Sequence, residues 1–376
     1  MTEDSQEIGV VPDTEAQPDE QVPLGVDMDG TLIRTDALVE ATAQFLKHRA
    51  YLAPKILYWL SKGRAWLKHR VAANGALDVT HLPYEESVLE LIDQAREDGR
   101  RIVLCTASNI HHARAVADHL ELFDEVMASD EKTNLSGENK RRALVDRFGE
   151  GGYDYVGNDA KDVPAFESAR KAIVVAPTRS LRRELPQLQK AELLVEAKDP
   201  TWRDYAKQLR LHQWLKNALL FVPLLASHRF NEPSTVAASI TAFFAFGLCA
   251  SSVYVLNDLM DLPADRRHPR KKDRPFASAR IPVEHGVILI PALLFASFML
   301  AAFLPPAFIG VLALYYFGTL NYSLWAKNIA VLDTLVLAGL YTLRIIAGAA
   351  AISVVPSFWL LAFSMFIFLS IAMAKR

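Results

Sequence analysis

The residues with the clearest chemical potential lie in one run near the middle of the chain. Residues 256–282 read LNDLMDLPADRRHPRKKDRPFASARIP, and the run begins with Asn257, Asp258, Asp261 and Asp265. Aspartates spaced by three and four residues share one face of a helix. Neighbouring carboxylates repel one another unless a cation lies between them, and Mg²⁺ prefers hard oxygen ligands and also binds substrate phosphates. We therefore expect Asp258, Asp261 and Asp265 to bind Mg²⁺, with Asp258 and Asp261 acting in catalysis.

The second part of this run is basic and suits a phosphate group. Arginine and lysine bind phosphate oxygens through charge-assisted hydrogen bonds. A metal site beside cations, at the end of an apolar helix, would stabilise a departing diphosphate. The alternative is a basic segment that only contacts anionic lipid, but this alternative does not explain the aspartates. The candidates for substrate binding here are Asn257, Arg266, His268, Lys271 and Arg274.

A second group of candidate residues lies in the first half of the chain, where an apolar run ends in the motif D-x-D-G-T. This motif places Asp27 and Asp29 at the end of a short predicted strand, and its glycine permits a tight turn. Two further strand-like runs end in polar residues, which are Thr106 after the first and Asn158 with Asp162 after the second. Helical patterns separate the three runs. The order predicts a parallel α/β sheet with a site at the carboxyl ends of its strands.

Charge is divided unevenly along the chain. Residues 1–200 carry 25 Lys and Arg against 35 Asp and Glu, whereas residues 201–376 carry 16 against 8. Four of these eight acidic residues lie between Asp258 and Asp273. Most of the remaining second half is uncharged and apolar, which excludes a wholly soluble protein, a disulfide-rich secreted module and a disordered chain. The pattern predicts an acidic soluble domain followed by a membrane domain.

Six apolar stretches of the second half are candidates for membrane spans, although the first is short and contains Lys216 and Pro223. Their connections alternate between basic and nearly neutral, and the most basic connection lies between the second and third stretches. Because basic connections stay in the cytoplasm, we expect the N-terminal domain and this connection to face the cytoplasm from the plasma (inner) membrane. The stretches cover residues 211–227, 236–256, 283–304, 306–325, 329–352 and 358–374.

Two charged residues, Asp333 and Arg344, lie inside the fifth stretch. They are about three helical turns apart and so lie on one face, and charges at that depth normally point into a helical bundle. One interpretation is a structural pair. The other is a substrate site in which Arg344 binds a phosphate and Asp333 orients it. Further candidates for substrate binding near the membrane surface are Lys216, Asn217, Tyr322 and Lys327.

The run N-D-x-x-D-x-x-x-D followed by H-P-x-K-x-x-R-P-x-A-S resembles the first aspartate-rich motif of the UbiA superfamily of intramembrane prenyltransferases. The wording of residues 265–278, with QWLKN at 213–217, YSLWAK at 322–327 and TLR at 342–344, is similar to the bacterial branch typified by decaprenyl-phosphate phosphoribosyltransferase. The resemblance implies a multi-span helical bundle, Mg²⁺, a polyprenyl phosphate lipid and phosphoribosyl pyrophosphate (PRPP) as cytoplasmic co-substrate. Ala279 stands where this family usually has Gly. Because members of the family carry further spans and a second acidic motif, we expect this chain to be truncated after its sixth span.

The first half resembles the haloacid dehalogenase (HAD) superfamily of phosphatases over about residues 20–180. The resemblance implies that Asp27 is the nucleophile that forms an aspartyl-phosphate, that Asp29 is the acid and base, and that Thr106 and Lys140 complete the site. It further implies a helical cap over about residues 37–80. Asn158 replaces an acidic residue of the family, so the alternative is an inactive domain with a regulatory or scaffolding role. The residues implied to bind Mg²⁺ are Asp27, Asp29, Asn158 and Asp162.

These observations divide the chain into four parts. We expect an acidic disordered tail over residues 1–20, an HAD-like domain over 21–180, a linker over 181–204 and a UbiA-like membrane domain over 205–376. The two cysteines, Cys105 and Cys249, have no metal-ligand spacing and are expected to be buried thiols.

The expected function is Mg²⁺-dependent transfer of a phosphoribosyl group from PRPP to a polyprenyl phosphate, with the HAD-like domain removing a phosphate from a substrate or product. One alternative is prenyl transfer from a prenyl diphosphate lipid to a small acceptor. Others are a membrane-anchored HAD phosphatase and a non-catalytic adaptor. No feature of the sequence indicates a nucleic-acid partner, and the oligomeric state is left open.

Overall fold

The computed structural model of the protein describes residues 22–75, 77–329 and 331–374. The tail predicted over residues 1–20 lies outside these ranges, as do Lys375 and Arg376. The described residues form an N-terminal α/β domain and a C-terminal set of apolar helices. This arrangement confirms the predicted fold class.

Six parallel strands form one sheet in the order β3-β2-β1-β4-β5-β6. The middle strands are short apolar segments that are buried on both faces, as is usual when helices cover both sides of a parallel sheet. The strands are β1 Leu24–Val26, β2 Ile102–Asn109, β3 Glu125–Ser129, β4 Asp154–Gly157, β5 Ala172–Val175 and β6 Ala191–Val195.

The register of the sheet aligns the carboxyl ends of its three central strands. Val26 at the end of β1 lies opposite Leu104 on β2 and Val156 on β4. The side chains that follow these positions therefore emerge at one edge of the sheet, which is where parallel α/β proteins place their sites. The D-x-D-G-T motif lies at this edge.

Helices pack on both faces of the sheet and form two apolar cores. Successive residues of β2 alternate between them, since Leu104 belongs to one core and Cys105 to the other. Three helices form the insertion after β1 that was predicted as a cap. The helices of this half are α1 Ala37–Arg49, α2 Ala53–Ser61, α3 Arg64–Asn74, α4 Glu86–Glu97, α5 Ile110–Leu120, α6 Glu138–Phe148, α7 Val163–Ser168 and α8 Arg179–Glu184.

The sixth strand lies inside the range predicted as a linker. Residues 191–195 pair in parallel with β5, so they belong to the sheet and the linker over 181–204 is shorter than expected. As an edge strand, β6 leaves Leu193 and Leu194 exposed, and its short sequence AELLV lies among charged residues and prolines. A buried strand would have given a stronger apolar signal in the sequence.

Among the described residues, four helices are long and apolar enough to cross a membrane. They are α11 Pro233–Met260, α13 Val283–Ala301, α14 Pro306–Leu324 and α15 Leu332–Ala351, and each overlaps a predicted span. The sixth predicted span is the shorter apolar helix α16 Phe358–Ala374. The remaining helices of this half are α9 Trp202–Gln208, α10 Val222–Ala226 and α12 Leu262–Arg267.

The first predicted span, 211–227, is not one regular helix. A 3₁₀-helix covers Leu211–Phe221, and α10 follows with Pro223 in its first turn. This segment packs closely on α15, because a Cβ added to Gly348 would lie 2.1 Å from the backbone oxygen of Leu220. The glycine therefore permits a backbone approach that the apolar pattern of the segment does not reveal.

The two halves of the protein contact each other through α1. Ala43 of α1 belongs to one buried apolar cluster with residues at the end of α11 and the start of α13, among them Leu259 and Val283. The cap insertion of the α/β domain therefore lies against the same end of the bundle as the aspartate-rich run.

Candidate active sites

The first site lies at the carboxyl end of β1, in the turn that carries Asp27 and Asp29. The backbone N–H of Asp27 donates to the carbonyl of Val156 at 2.9 Å, which fixes the start of the turn against β4. Gly30 has a φ of +76°, and a Cβ there would lie 2.1 Å from the Asn158 Nδ2. The turn therefore needs glycine both for its backbone conformation and for the close approach of the Asn158 side chain.

A buried lysine holds two carboxylates of this site together. The Lys140 Nζ lies 3.1 Å from the Asp27 Oδ1 and 2.7 Å from the Asp162 Oδ1. It also donates to the Tyr155 hydroxyl at 2.7 Å. Burial disfavours the charged ammonium, but Asp162 and Asp27 outweigh this effect and raise the pKa of Lys140. Lys140 is therefore a permanent cation beside the predicted nucleophile.

Asp162 has the role of orienting Lys140. Its Oδ1 accepts from Lys140 and from the Tyr155 hydroxyl, and its Oδ2 accepts from the backbone N–H groups of Asn158 and Asp159. Both oxygens are thus engaged by the protein. The prediction that Asp162 is a direct metal ligand finds no support in this geometry.

Asp29 is tethered to two different elements. Its Oδ1 accepts from the backbone N–H of Ala37 at 2.9 Å, at the start of α1, and its Oδ2 accepts from the Ser108 hydroxyl. The Thr106 hydroxyl accepts from the backbone N–H of Ser108 at 3.0 Å. Thr106 therefore lies beside Ser108, and it is Ser108, which was not predicted, that touches Asp29.

The surroundings of Asp27 and Asp29 give the two carboxyl groups different pKa values. Burial raises the pKa of Asp27 to about 6, against the opposing charge of Lys140. Burial also raises the pKa of Asp29 to about 8, with the Asp36 charge adding to the effect and the Ser108 hydrogen bond opposing it. At neutral pH Asp27 is mostly ionised, as a nucleophile must be. Asp29 is mostly protonated, as an acid must be.

A lysine of the cap also points toward this site. The Lys68 Nζ on α3 donates to the Ala107 carbonyl at 2.6 Å and to the Asn134 Oδ1 at 3.2 Å. Burial lowers the pKa of Lys68, and the charges of Asp29 and Asp36 partly offset that effect. Lys68 gives no signal in the sequence, because an insertion helix carries no motif that marks its inward face.

The first site suits Mg²⁺ by charge and donor type. Even when Asp29 is protonated, the carboxylates of Asp27, Asp36 and Asp162 outnumber the ammonium groups of Lys140 and Lys68, so negative charge remains. Asp27 and Asn158 offer hard oxygen donors, which Mg²⁺ prefers. Among the described residues, no three His, Cys, Asp or Glu side chains are grouped as a metal site. Water or substrate oxygens would have to complete the coordination.

The second site lies at the end of α11, where Asp258 is buried among cations. Its Oδ1 accepts from the Arg210 Nη2 at 2.5 Å and from the Arg274 Nη1 at 3.1 Å, and its Oδ2 accepts from the Gln208 Nε2 at 2.8 Å. The side-chain oxygen of the adjacent Asn257 is buried without a hydrogen-bond partner among the described residues. A buried oxygen of this kind is available to a cation.

Asp261 lies between two lysines that come from different halves of the chain. Its Oδ1 is 2.8 Å from the Lys47 Nζ of α1, and its Oδ2 is 3.7 Å from the Lys327 Nζ. Burial alone would raise the pKa of Asp261, but the Lys47 hydrogen bond and the Lys327 charge hold it below its usual value. Asp261 is therefore an ionised carboxylate. We call the end of the bundle around Asp258 and Asp261 the mouth of the bundle.

The three aspartates do not form the single cluster that the sequence predicted. Asp258 and Asp265 share the Arg274 guanidinium, which is 2.6 Å from the Asp265 Oδ2, whereas Asp261 turns to the lysines. The reason is a break in the helix, since α11 ends at Met260 and α12 begins at Leu262. Asp258 therefore lies on α11 and Asp265 on α12, with Asp261 at the turn residue between them, so the three do not share one face of a regular helix.

The basic residues of this run divide into buried and exposed groups. The Arg266 guanidinium binds both oxygens of Glu40 on α1, at 2.6 and 2.9 Å, and its side chain is only 7% exposed. Arg266 is thus a structural partner of the α/β domain, which corrects its prediction as a phosphate ligand. Arg274 lies at the aspartates, and His268 and Lys271 are exposed nearby.

Arg344 is enclosed by the bundle. It donates to the Asn217 Oδ1 at 3.1 Å, the Tyr315 hydroxyl at 3.0 Å and the Leu340 carbonyl at 2.8 Å. The structure thus brings together Arg344 and Asn217, two predicted substrate ligands, as hydrogen-bond partners of each other, and their role in substrate binding stays a prediction. Asp333 is also buried, Tyr322 is half-buried, and Lys216 is exposed.

Two family models match the chain. The model of the UbiA prenyltransferase family covers residues 218–376, and that of haloacid dehalogenase-like hydrolases covers residues 24–167. The chain therefore belongs to the UbiA prenyltransferase family through its membrane half and carries an N-terminal haloacid dehalogenase-like hydrolase domain.

Curated relatives match this chain over most of its length or over about half of it. An uncharacterized protein, y4nM, of Sinorhizobium fredii is 36% identical over 361 residues, which are 95% of this chain and 69% of that protein. The nodulation protein NoeC of Azorhizobium caulinodans is 41% identical over 172 residues, 46% of this chain and 56% of NoeC. The decaprenyl-phosphate phosphoribosyltransferase of Mycolicibacterium smegmatis is 35% identical over 174 residues, 45% of this chain and 55% of that enzyme. The latter two matches span little more than half of each relative.

Proposed function

We propose that the membrane half transfers a phosphoribosyl group from PRPP to a polyprenyl phosphate. In this reaction a phosphate oxygen of the lipid forms a bond to the anomeric carbon of ribose, while the bond from that carbon to pyrophosphate breaks and pyrophosphate leaves. The partial relatives named decaprenyl-phosphate phosphoribosyltransferase support this choice of substrates.

The observation that carries the proposal is the charge of the mouth of the bundle. Asp258 and Asp261 lie there within 4 Å of the cationic groups of Arg210, Arg274 and Lys327, and Lys47 joins them from α1. Asp265 also binds Arg274, so three carboxylates face four cations and one positive charge remains. The excess of positive charge favours a bound diphosphate, as a departing pyrophosphate requires.

Each residue of the mouth has a proposed role. Arg274 and Lys327 bind the diphosphate oxygens, and Arg210 holds Asp258 in place. Mg²⁺, when bound by Asp258 and Asp261 in exchange for some of their basic partners, would neutralise the charge that develops on pyrophosphate. The unpartnered oxygen of Asn257 fits this cation.

The same mouth supports a second candidate donor. A prenyl diphosphate carries the diphosphate that these cations suit, and transfer of its prenyl group to a small acceptor would release pyrophosphate equally. Both donors release pyrophosphate, so the charge of the mouth favours both reactions equally and the experiment must distinguish them.

We further propose that the N-terminal domain is a phosphatase with its site facing the cytoplasm. Asp27 attacks phosphorus, Asp29 protonates the leaving oxygen, and Lys140 neutralises the phosphoryl oxygens. The arrangement of Asp27, Lys140 and Asp162 supports this activity. The proposed substrate is the phosphorylated lipid made at the mouth of the bundle, because α1 contacts both sites.

The experiment uses the full-length protein in lipid nanodiscs with decaprenyl phosphate and Mg²⁺. PRPP labelled in its ribose is supplied in one reaction and a labelled prenyl diphosphate with a small aromatic acceptor in another. Label that enters the lipid fraction from PRPP supports phosphoribosyl transfer. Product from the prenyl diphosphate alone would instead support prenyl transfer, and no product from either donor would contradict the transferase assignment.

A further inference from the structure

Helix α1 belongs to the phosphatase-like domain, yet one of its faces packs against the membrane half. Ala43 lies in the shared apolar cluster, and the Gln44 Nε2 donates to the Met260 carbonyl at 2.9 Å. Glu40 binds Arg266, and Lys47 binds Asp261. These contacts follow one another at about one helical turn, so α1 lies along the end of the bundle.

The two ion pairs of this interface differ in their access to solvent. The side chains of Glu40 and Arg266 are only 3% and 7% exposed, and the Thr35 hydroxyl also donates to Glu40 at 2.5 Å. This pair is closed and structural. The side chains of Lys47 and Asp261 are 28% and 30% exposed, so a ligand can reach them. The interface therefore contains one ion pair that is closed to solvent, Glu40–Arg266, and one that is open to it, Lys47–Asp261.

The open pair lies in an unbalanced set of charges. Asp261 faces the ammonium groups of both Lys47 and Lys327, and the Lys271 charge acts on it as well. One carboxylate cannot neutralise several lysines, which leaves positive charge for an anion. A lysine is a compact charge on a flexible stem, and it can bind a phosphate oxygen while staying close to a carboxylate.

We propose that Lys47 of the phosphatase-like domain binds the diphosphate at the mouth of the membrane domain, so that the transferase site is built from both halves of the chain. This inference rests on the proposed function, because it needs a diphosphate at this mouth. It goes beyond that function by making the soluble domain a part of the membrane site rather than a separate enzyme on the same chain.

The test measures binding of inorganic pyrophosphate, with Mg²⁺, to the full-length protein in nanodiscs by calorimetry. Lys47→Gln removes the charge but keeps a donor for Asp261, and Lys47→Arg keeps the charge. The matched control is Lys55→Gln, on the exposed surface of α2. We expect Lys47→Gln to weaken pyrophosphate binding about tenfold or more, while Lys47→Arg and Lys55→Gln stay close to wild type.

A second measurement needs no variant. Lysines of the wild-type protein are acetylated with and without pyrophosphate and quantified by mass spectrometry. We expect pyrophosphate to protect Lys47 several-fold and to leave Lys55 unchanged.

The outcomes separate this inference from the proposed function. If wild type binds pyrophosphate but Lys47→Gln binds equally well, or if Lys47 is not protected, Lys47 only docks the domains and the inference is wrong. Tighter binding by Lys47→Gln would show that Lys47 blocks the site, which is also contrary to the inference. If wild type itself binds no pyrophosphate, the proposed diphosphate site falls, and this inference falls with it.

Discussion

Asp27 is the proposed nucleophile of the first site, and it is buried and adjacent to the Lys140 ammonium. Replacing Asp27 with Asn keeps the shape of the side chain but removes the nucleophile. We expect hydrolysis of p-nitrophenyl phosphate to fall by at least about a thousandfold, and the lipid product of the membrane site to retain its sugar phosphate. Phosphatase assay and mass spectrometry of the lipid product measure the two effects.

The control for this variant is Asp93→Asn, an exposed change on α4 that should alter neither activity. If Asp27→Asn yields the same dephosphorylated lipid as wild type, the two activities are not coupled in the proposed order. If it also hydrolyses p-nitrophenyl phosphate normally, Asp27 is not the nucleophile.

Substitution of Gly30 tests whether the turn of the first site needs glycine for the close approach of Asn158 as well as for its backbone conformation. Its φ is +76°, and an added Cβ would meet Asn158, whereas Gly99 has a φ of +73° with nothing within 4 Å. We expect Gly99→Ala to cost about 1 to 2 kcal/mol of stability from backbone strain and Gly30→Ala to cost more. Hydrogen exchange of the β1 and β4 amides in the full-length protein measures both costs. Equal costs would show that Asn158 moves aside freely.

At the scale of elements, a buried ion pair between Glu40 and Arg266 joins α1 to the bundle. Arg266→Met leaves the Glu40 carboxylate buried without its cation, which typically costs about 3 to 5 kcal/mol. The matched control is Arg267→Met, because Arg267 binds Asp78 at the same interface but is 58% exposed. That pair should contribute less than about 1 kcal/mol. Faster hydrogen exchange in α1 for Arg266→Met alone is the expected result, and equal effects of the two variants would contradict it.

The close contact of α15 with the 211–221 segment gives a second prediction for elements. A Cβ at Gly348 would clash with the Leu220 backbone, whereas Gly339 on the same helix has nothing within 4 Å. We expect Gly348→Ala to push this segment away, to separate Asn217 from Arg344 and to lower both the melting temperature and transferase activity. Gly339→Ala should leave both unchanged or slightly raise stability. Normal activity in Gly348→Ala would show that the segment tolerates the shift.

Local patterns predicted the elements well where burial imposes a simple pattern. The buried strands β1, β2 and β4 and the four long apolar helices follow from runs of apolar residues, and the D-x-D-G-T turn follows from its glycine. The edge strand β6 and the irregular 211–221 segment did not follow, because an edge strand is half exposed and a 3₁₀-helix shares its apolar residues with an α-helix.

The sites were predictable only as far as each depends on one segment. Asp258 and Asp261 lie at the end of α11 as expected, but α11 ends at Met260. As a result, Asp258 binds arginines and Asp261 binds lysines. The partners of Asp261 and Arg266, which are Lys47 and Glu40, lie more than 200 positions away in the sequence. Pairing over that distance is set by tertiary packing, and no spacing rule for one helix or strand reports it.

At the scale of the whole molecule, α1 links two candidate sites. Its first residue, Ala37, donates to Asp29, and Lys47 near its other end binds Asp261. Ten residues of helix span about 15 Å, a short distance for a lipid-bound product to pass from one site to the other. The two sites therefore lie on the same side of the bundle, which agrees with the proposed placement of both in the cytoplasm.

The central claim is that the mouth of the bundle, around Asp258 and Asp261, is the transferase site. Its most direct measurement is the rate at which ribose label passes from PRPP to decaprenyl phosphate in nanodiscs with Mg²⁺, comparing Asp261→Asn and Asp258→Asn with wild type. Asp273→Asn is the matched control, since Asp273 is an exposed carboxylate of the same run. We expect a loss of about a hundredfold or more in the first two variants and none in the control. Transfer at the wild-type rate in Asp258→Asn and Asp261→Asn, with the protein correctly inserted, would contradict this claim.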